Sequence, residues 1–105
     1  MAESGIYIVT DPDQQKNGFY KISKTANIKA TMMQLNSARA NRDFKLINFF
    51  QCSDLKKAEE FIKSALKKRY IQGSLEWIKV DDEQTLNKVL TTVETLIEIT
   101  NGSDD

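Results

Sequence analysis

Gly5-Ile6-Tyr7-Ile8-Val9 and Phe19-Tyr20-Lys21-Ile22-Ser23-Lys24-Thr25 are two segments near the start of the chain that are rich in β-branched and aromatic residues. Residues 11–18 lie between them and contain aspartate, proline, asparagine and glycine, which are residue types that favour turns. The pattern predicts an antiparallel β-hairpin with strands over residues 5–10 and 18–24.

The composition limits the size of the protein and the chemistry open to it. Its 105 residues, 40% of them hydrophobic, suffice for one modest core, so we expect a single domain over residues 1–102 and a frayed acidic tail at 103–105. The chain has no histidine and a single cysteine, Cys52, which we interpret as a buried apolar residue. Serine-histidine-aspartate sites, cysteine-histidine sites, cysteine-rich zinc sites and an internal disulfide are therefore excluded.

The charges of the chain balance. Fifteen Lys and Arg residues match 15 Asp and Glu residues, so no net field attracts nucleic acid or an anionic membrane. A polyanion must therefore be bound by a local basic patch. No apolar run reaches the roughly 18 to 20 residues of a membrane span, so we expect an intracellular protein without a membrane partner.

The middle of the chain predicts a short helix and a third strand. Asn27 is suited to cap a helix, and the apolar residues that then share one helical face are Ile28, Met32 and Leu35. The polar stretch over residues 36–42 predicts a loop. Residues 43–52 are so dense in apolar and aromatic side chains that we expect a strand buried on both faces and packed inside the sheet.

Two longer helices and one short strand are predicted in the rest of the chain. Ser53 or Asp54 begins a basic amphipathic helix, and residues 75–80 resemble a short strand. Asp81 with Gln84 resembles the capping box of a last helix. The order β-β-α-β-α-β-α predicts an α+β fold, with a small, mainly antiparallel, three-stranded sheet flanked by helices. The C-terminal helix either covers this sheet or mediates association.

The glycine-aromatic strand, the turn, and the aromatic-Lys-Ile-x-Lys-Thr strand that opens onto a helix resemble the GIY-YIG nuclease superfamily. Within it, the similarity is greatest to DNA-binding domains of phages and large DNA viruses. The later segments that match the family occur in the expected order, namely Gln34-Leu35-Asn36, Ala58-Glu59-Glu60-Phe61 and Gly73-Ser74-Leu75-Glu76-Trp77-Ile78. The resemblance covers residues 5–80 and implies the fold predicted above.

The resemblance also implies a one-metal hydrolysis of phosphodiesters. In that reaction Tyr7 activates the attacking water, Tyr20 supports it, and Glu59 binds Mg²⁺ or Mn²⁺, so their side chains are expected to converge on one concave surface. Thr31 stands where the family has a phosphate-binding arginine, and Ser23 stands where it has a glycine. Because threonine cannot form the planar, two-pronged contact of a guanidinium with phosphate oxygens, the endonuclease activity is expected to be reduced or lost.

Lysines near this predicted site are the expected contacts to nucleic acid, and these are Lys21, Lys24 and Lys29. Lys24 is the residue expected to contact the phosphate in place of the arginine, and Arg39 and Arg42 lie in the following loop. The helix predicted to begin at Ser53 or Asp54 offers a further basic run, made by Lys56, Lys57, Lys63, Lys67, Lys68 and Arg69. Such a run is also typical of an ordinary solvated helix face, and strand tyrosines also commonly pack at the edge of a core.

The sequence therefore predicts a nucleic-acid-binding domain related to the GIY-YIG nucleases, with DNA as the expected partner. The alternative is a catalytically inactive fold, in a viral or phage protein, that serves as a protein-protein interaction module. Basic residues do not outnumber acidic ones, whereas a protein that binds DNA by itself usually has more basic residues, and this favours the alternative. A homodimer formed through the last helix stays open, because the sequence does not show whether its apolar stripe is covered within the chain.

Overall fold

The computed structural model describes residues 3–37 and 43–102, and within them four strands form one antiparallel sheet. The elements in chain order are β1 (Gly5–Thr10), α1 (Pro12–Lys16), β2 (Phe19–Thr25), α2 (Ile28–Ser37), β3 (Lys45–Gln51), α3 (Leu55–Ala65), a 3-10 turn (Lys67–Arg69), β4 (Trp77–Lys79) and α4 (Glu83–Thr100). The strand order is β3-β1-β2-β4. The predicted α+β class is confirmed, but the sheet has four strands rather than three because β4 pairs with the start of β2.

The predicted N-terminal hairpin is confirmed, and its register places Tyr7 opposite Ser23 and Ile6 opposite Lys24. The connection between the strands is the short helix α1 rather than a simple turn. Asp11 caps this helix by accepting a hydrogen bond from the Gln14 amide at 2.9 Å. Pro12 occupies the first helical position, where a backbone N–H would have no acceptor within the helix, so its absence in proline costs no hydrogen bond.

The third strand was expected inside the sheet, and this prediction is wrong. Strand β3 lies at the edge and has no fully buried residue, whereas all six residues of β1 are buried. The apolar density of β3 has another cause. Phe49 packs toward one core cluster and Phe50 toward the other, so both faces of the strand are partly covered while its outer edge is open among the described residues.

The sheet separates two core clusters. We call one side the α3/α4 face, because alternate sheet residues pack there against those two helices. The core cluster on this face includes Ile6, Ile8, Tyr20, Ile22 and Ile78 from the sheet, Ala58, Ile62 and Leu66 from or just after α3, and Val89, Val93 and Ile97 from α4. The other side is the α2 face, where the cluster consists of Tyr7, Val9 and Ile28 with the partly buried Met32, Leu35, Phe44 and Phe49. The apolar stripe of α4 is therefore buried against the sheet of its own chain.

The helix ends follow local hydrogen bonds. Asn27 accepts from the Ala30 amide at 3.2 Å, and Asp54 accepts from the Lys57 amide at 3.2 Å, so both predicted caps are confirmed. The last helix is capped by Asp82, which accepts from the Thr85 amide at 2.7 Å, and not by Asp81 as predicted. The reason is that Val80 still donates a hydrogen bond to the Gly18 carbonyl at 2.7 Å, which keeps the chain extended further than the capping-box pattern suggested.

Several smaller predictions have a definite outcome. Cys52 is buried, at 2% exposure, as expected, and desolvation raises the pKa of its thiol. Helix α2 continues to Ser37, so the predicted loop begins later than expected, and Arg39 and Arg42 lie outside the described residues. The predicted tail at 103–105 also lies outside them. Among the described helices, none combines the length and the apolar character that a bilayer span requires.

Candidate functional site

Tyr7 and Glu59 are carried on different faces of the sheet. Tyr7 belongs to the α2-face cluster and is paired with Ser23. Glu59 accepts a hydrogen bond of 2.7 Å from the ammonium group of Lys24, the next residue of β2 after Ser23. Neighbouring residues on a strand point to opposite faces, and α3 packs on the α3/α4 face. The structure therefore contradicts the expected convergence of Tyr7 with Glu59.

Tyr20 is also separated from Glu59, although it lies on the same face. Tyr20 and Lys24 are four residues apart on β2, a distance of about 13 Å at about 3.3 Å per residue. Tyr20 is 7% exposed and lines a different cleft of about 640 Å³, between α1 and the start of α4. The three side chains expected to form one site are thus distributed over three places, because strand alternation and strand length set their positions.

Tyr7 has the surroundings of a core residue. Its side chain is 4% exposed, and it packs with Val9 and Ile28. Its hydroxyl makes no hydrogen bond to any described residue. The buried position explains why a strand tyrosine here stabilises the contact between the sheet and α2.

Thr31, at the position expected for the family's arginine, connects α2 to the sheet. Its hydroxyl lies 2.6 Å from the hydroxyl of Thr25, which is buried at the end of β2. The Thr25 hydroxyl also accepts a hydrogen bond from the Asn27 amide at 3.0 Å, just before α2 begins. Thr31 therefore takes part in a neutral hydrogen-bond network that fixes the start of α2, and it offers no positive charge to a phosphate.

The carboxylate of Glu59 lies between two lysines. Lys24 Nζ is 2.7 Å from Oε1, and Lys63 Nζ is 3.6 Å from Oε2, one helical turn further along α3. The hydrogen bond from Lys24 is the largest cause that lowers the pKa of Glu59, and the charges of both lysines add to it. We call this group the Lys24-Glu59-Lys63 cluster, and its two ammonium groups outnumber its one carboxylate.

A second carboxylate, Glu76, lies near the same edge of the sheet and was not singled out from the sequence. Its Oε2 accepts a hydrogen bond from the Ser23 hydroxyl at 2.7 Å, and its Oε1 is 3.6 Å from Lys21 Nζ. Ser23, where the family has glycine, therefore positions Glu76. The only signal for Glu76 in the sequence was its place in the segment from Gly73 to Ile78, because its pairing depends on how β4 and the preceding turn lie against β2.

Tyr70 is the second residue that sequence reasoning missed. Its backbone forms an isolated antiparallel bridge with Ile78, at the start of the turn that leads into β4. Burial, together with the negative charges of Glu59 and Glu76, raises the pKa of Tyr70 to about 12. Tyr70 thus lies close to both carboxylates, and its phenol stays protonated at neutral pH.

The donor set around Glu59 does not fit the metal ion that the resemblance implied. Both oxygens of Glu59 face ammonium groups, whereas Mg²⁺ is bound by carboxylates, other oxygen ligands and water. Among residues 3–37 and 43–102, no three His, Cys, Asp or Glu side chains are grouped so that they could hold one ion. We therefore derive no catalytic step through a metal at this position.

The lysines expected to contact nucleic acid differ in their availability. Lys21 and Lys24 form ion pairs with Glu76 and Glu59, while Lys29 is exposed at the start of α2. On α3 and the 3-10 turn, Lys56 and Lys67 are exposed and form no ion pair with any described residue. The uncompensated positive charge therefore lies along α3 more than along β2.

The chain matches the model of one protein family, the T5orf172 domain, over residues 4–98. No curated protein and no solved structure matches it. The match includes the hairpin, the Lys24-Glu59-Lys63 cluster and nearly all of α4.

Proposed function

Because the chain belongs to the T5orf172 domain family, we propose that it is a DNA-binding domain whose metal-dependent endonuclease activity has been lost. This domain is found in phage and related proteins and is associated with nuclease-like folds. We place it within the degenerate, DNA-binding branch of the GIY-YIG superfamily. The observation that carries the proposal is the Lys24-Glu59-Lys63 cluster, in which lysines occupy both oxygens of the expected metal ligand.

The cluster favours phosphate over a divalent cation for an electrostatic reason. A cation that approaches Glu59 meets two ammonium groups and must displace a charge-assisted hydrogen bond of 2.7 Å from Lys24. A phosphate, in contrast, is attracted by the same ammonium groups, which already outnumber the carboxylate. The side chain of Lys24 is 44% exposed and that of Lys63 is 37% exposed, so both remain accessible to a ligand.

The rest of the proposed interface follows α3. Lys56 and Lys63 are seven residues apart, which places them on one face of the helix at a distance of about 10 Å along its axis. Lys67 continues this row in the 3-10 turn. We propose that a phosphate backbone lies along this row, which we call the α3 lysine row, with the Lys24-Glu59-Lys63 cluster beside it.

Two measurements on purified protein test the proposal. The first is fluorescence anisotropy of a labelled DNA duplex over a series of salt concentrations, where we expect affinity to fall steeply as salt rises because phosphate contacts release counterions. Lys56→Gln and Lys67→Gln are each expected to reduce the slope of log K against log salt by about 1. Absence of DNA binding at low salt would contradict the DNA-binding function.

The second measurement is nicking of supercoiled plasmid with Mg²⁺ or Mn²⁺. Wild type, Glu59→Ala and Tyr7→Phe are expected to show the same background, because neither side chain serves a working metal site. Cleavage by the wild type that disappears in Glu59→Ala would show that the nuclease is active and that the proposed loss of activity is wrong.

A second candidate is a protein-interaction module, and the exposed edge of β3 favours it. This strand is unpaired on its outer side among the described residues, and Leu46 is 39% exposed on it. An edge strand of this kind can accept a strand from another chain. The salt series separates the two functions, because an apolar protein interface does not weaken steeply with salt.

A further inference from the structure

A small slot lies between the end of α3 and the turn before β4. Its volume is about 170 Å³, and it is lined by Lys63, Lys67, Tyr70, Ser74 and Leu75. Leu75 is 72% exposed and supplies apolar surface to the slot. The slot is much smaller than the roughly 300–1,000 Å³ of pockets that enclose a whole drug-sized ligand, so it suits a single ring.

The turn that presents Leu75 is held by several hydrogen bonds. The Ser74 amide donates to the Ile71 carbonyl at 2.9 Å, and the Ser74 hydroxyl accepts from the amides of Glu76 and Trp77 at 3.2 and 2.9 Å. The Ile71 amide donates to the Trp77 carbonyl at 2.9 Å. Leu75 is therefore displayed by a backbone that is already ordered, so a ligand that contacts it does not have to order the turn.

The lining of the slot combines two kinds of side chain. Leu75 and the ring of Tyr70, whose phenol is uncharged at neutral pH, are apolar. Lys63 and Lys67 are cationic, and both belong to the α3 lysine row. Proteins that bind single strands combine these elements, since bases stack on apolar or aromatic side chains while cationic side chains follow the backbone.

The larger cleft beside Tyr20 is less suited to nucleic acid. It is lined by Asp81, Asp82 and Glu83 together with Lys16 and Lys79, so its carboxylates outnumber its ammonium groups and disfavour a phosphate backbone.

We propose that the slot binds one unpaired nucleobase of a single-stranded or locally opened DNA, with Leu75 and Tyr70 against the base and Lys63 and Lys67 at the flanking phosphates. The proposal rests on the proposed DNA-binding function and specifies the form of DNA that this domain recognises.

The test compares two oligonucleotides that have the same phosphates but differ in their bases. A fluorescein-labelled oligothymidylate and an abasic oligomer of the same length are titrated with wild type, Leu75→Ala and the control Ile99→Ala at low salt. Ile99 is a matched control because it is also a large exposed apolar residue, at 58%, and lies near the end of α4 away from the slot.

We expect wild type and Ile99→Ala to bind the oligothymidylate about tenfold more tightly than the abasic oligomer, as stacking of a base predicts. Leu75→Ala is expected to bind both oligomers equally, with the affinity that wild type has for the abasic oligomer. Lys67→Gln is expected to weaken binding of both oligomers by the same factor, because it removes a phosphate contact.

The possible failures are distinguishable. If wild type binds both oligomers equally, or if Leu75→Ala retains the preference for bases, the slot does not bind a base, while salt-dependent binding still supports the DNA-binding function. If wild type binds neither oligomer nor the DNA duplex, both proposals are overturned.

Discussion

The α2 face and the edge of the sheet beside Glu59 use polar side chains in different ways. On the α2 face, Tyr7 is buried and Thr31 makes a neutral hydrogen bond to Thr25, so these groups join a helix to the sheet. At the edge, Lys24 and Glu59 are partly exposed and charged, and they remain accessible to a ligand. Residues that belong to one motif in the sequence therefore serve packing on one side and electrostatics on the other.

Under the proposed function, this difference accounts for a nuclease-like fold that binds DNA without cleaving it. Catalysis requires several groups within hydrogen-bond distance of one phosphate, and Tyr7 and Glu59, on opposite faces of the sheet, do not meet this requirement. Binding requires only a surface with uncompensated positive charge, and α3 provides this without help from Tyr7 or Tyr20.

The largest expected effect is on the α2 face. Tyr7→Ala removes a side chain that is 4% exposed and is expected to lower the free energy of unfolding by about 3–5 kcal/mol. Tyr7→Phe keeps the ring and is expected to change it by less than about 0.5 kcal/mol, since the hydroxyl bonds to no described residue. Urea denaturation followed by circular dichroism measures both. A large loss of stability in Tyr7→Phe would show that the hydroxyl, and not the ring, is the important group.

A smaller effect is expected for the hydrogen bond between α2 and β2. Thr31→Val keeps the shape of the side chain but removes the partner of the buried Thr25 hydroxyl, and is expected to cost about 1 kcal/mol in the same denaturation experiment. Unchanged stability would mean that the contact of 2.6 Å contributes nothing to holding α2.

Thr31→Arg sharpens the same comparison, because it supplies the arginine that the resemblance expects. We expect no gain in plasmid nicking with Mg²⁺ or Mn²⁺, because Glu59 lies on the other face of the sheet and is occupied by lysines. Metal-dependent cleavage that appears only in Thr31→Arg would show that the remaining parts of the site are functional.

The smallest expected effect is the pH dependence of stability at the edge. The pKa of Glu59 is lowered in the folded state, so its ion pairs stabilise the protein above pH 4.5, its ordinary value, and this contribution is lost as pH falls through the lowered pKa. The loss is expected to be less than about 1 kcal/mol, because the carboxylate is 25% exposed and screened by water. Urea denaturation at several pH values measures how the free energy of unfolding depends on pH. Glu59→Gln should remove the part of this dependence that comes from Glu59. An unchanged slope in Glu59→Gln would contradict the assignment.

The hairpin, α2, α3 and α4 could be predicted from the sequence because their signals are local. Alternating residues, apolar spacing and the caps Asn27 and Asp54 act within a few residues of the chain. The helix over residues 12–16 was missed because five residues are too few to show a helical period. The edge position of β3 was missed because a high content of apolar residues indicates only that a strand contacts the core. It does not distinguish a central strand from an edge strand that is covered on both faces.

The candidate site was harder to predict because its contacts are distant in sequence. The bond from Lys24 to Glu59 spans 35 residues, and the bond from Ser23 to Glu76 spans 53. Both depend on how α3 and the turn before β4 lie against β2, which no local pattern specifies. Glu59 was identified through the resemblance, but the lysines that surround it could be found only in the structure.

The central claim is that Glu59 holds lysines and not a metal ion, and the affinity of Glu59→Gln for a DNA duplex tests it most directly. The matched control is Glu60→Gln, which removes the same charge from the same helix at a residue that forms no ion pair with any described residue. We expect Glu59→Gln to bind DNA more tightly than wild type, by about 3- to 10-fold, and more tightly than Glu60→Gln, because two lysines are released to phosphate. We also expect that Mg²⁺ does not strengthen binding by either protein. Weaker binding by Glu59→Gln, together with a stimulation of the wild type by Mg²⁺ that the variant lacks, would show that Glu59 is a metal ligand and would contradict the account.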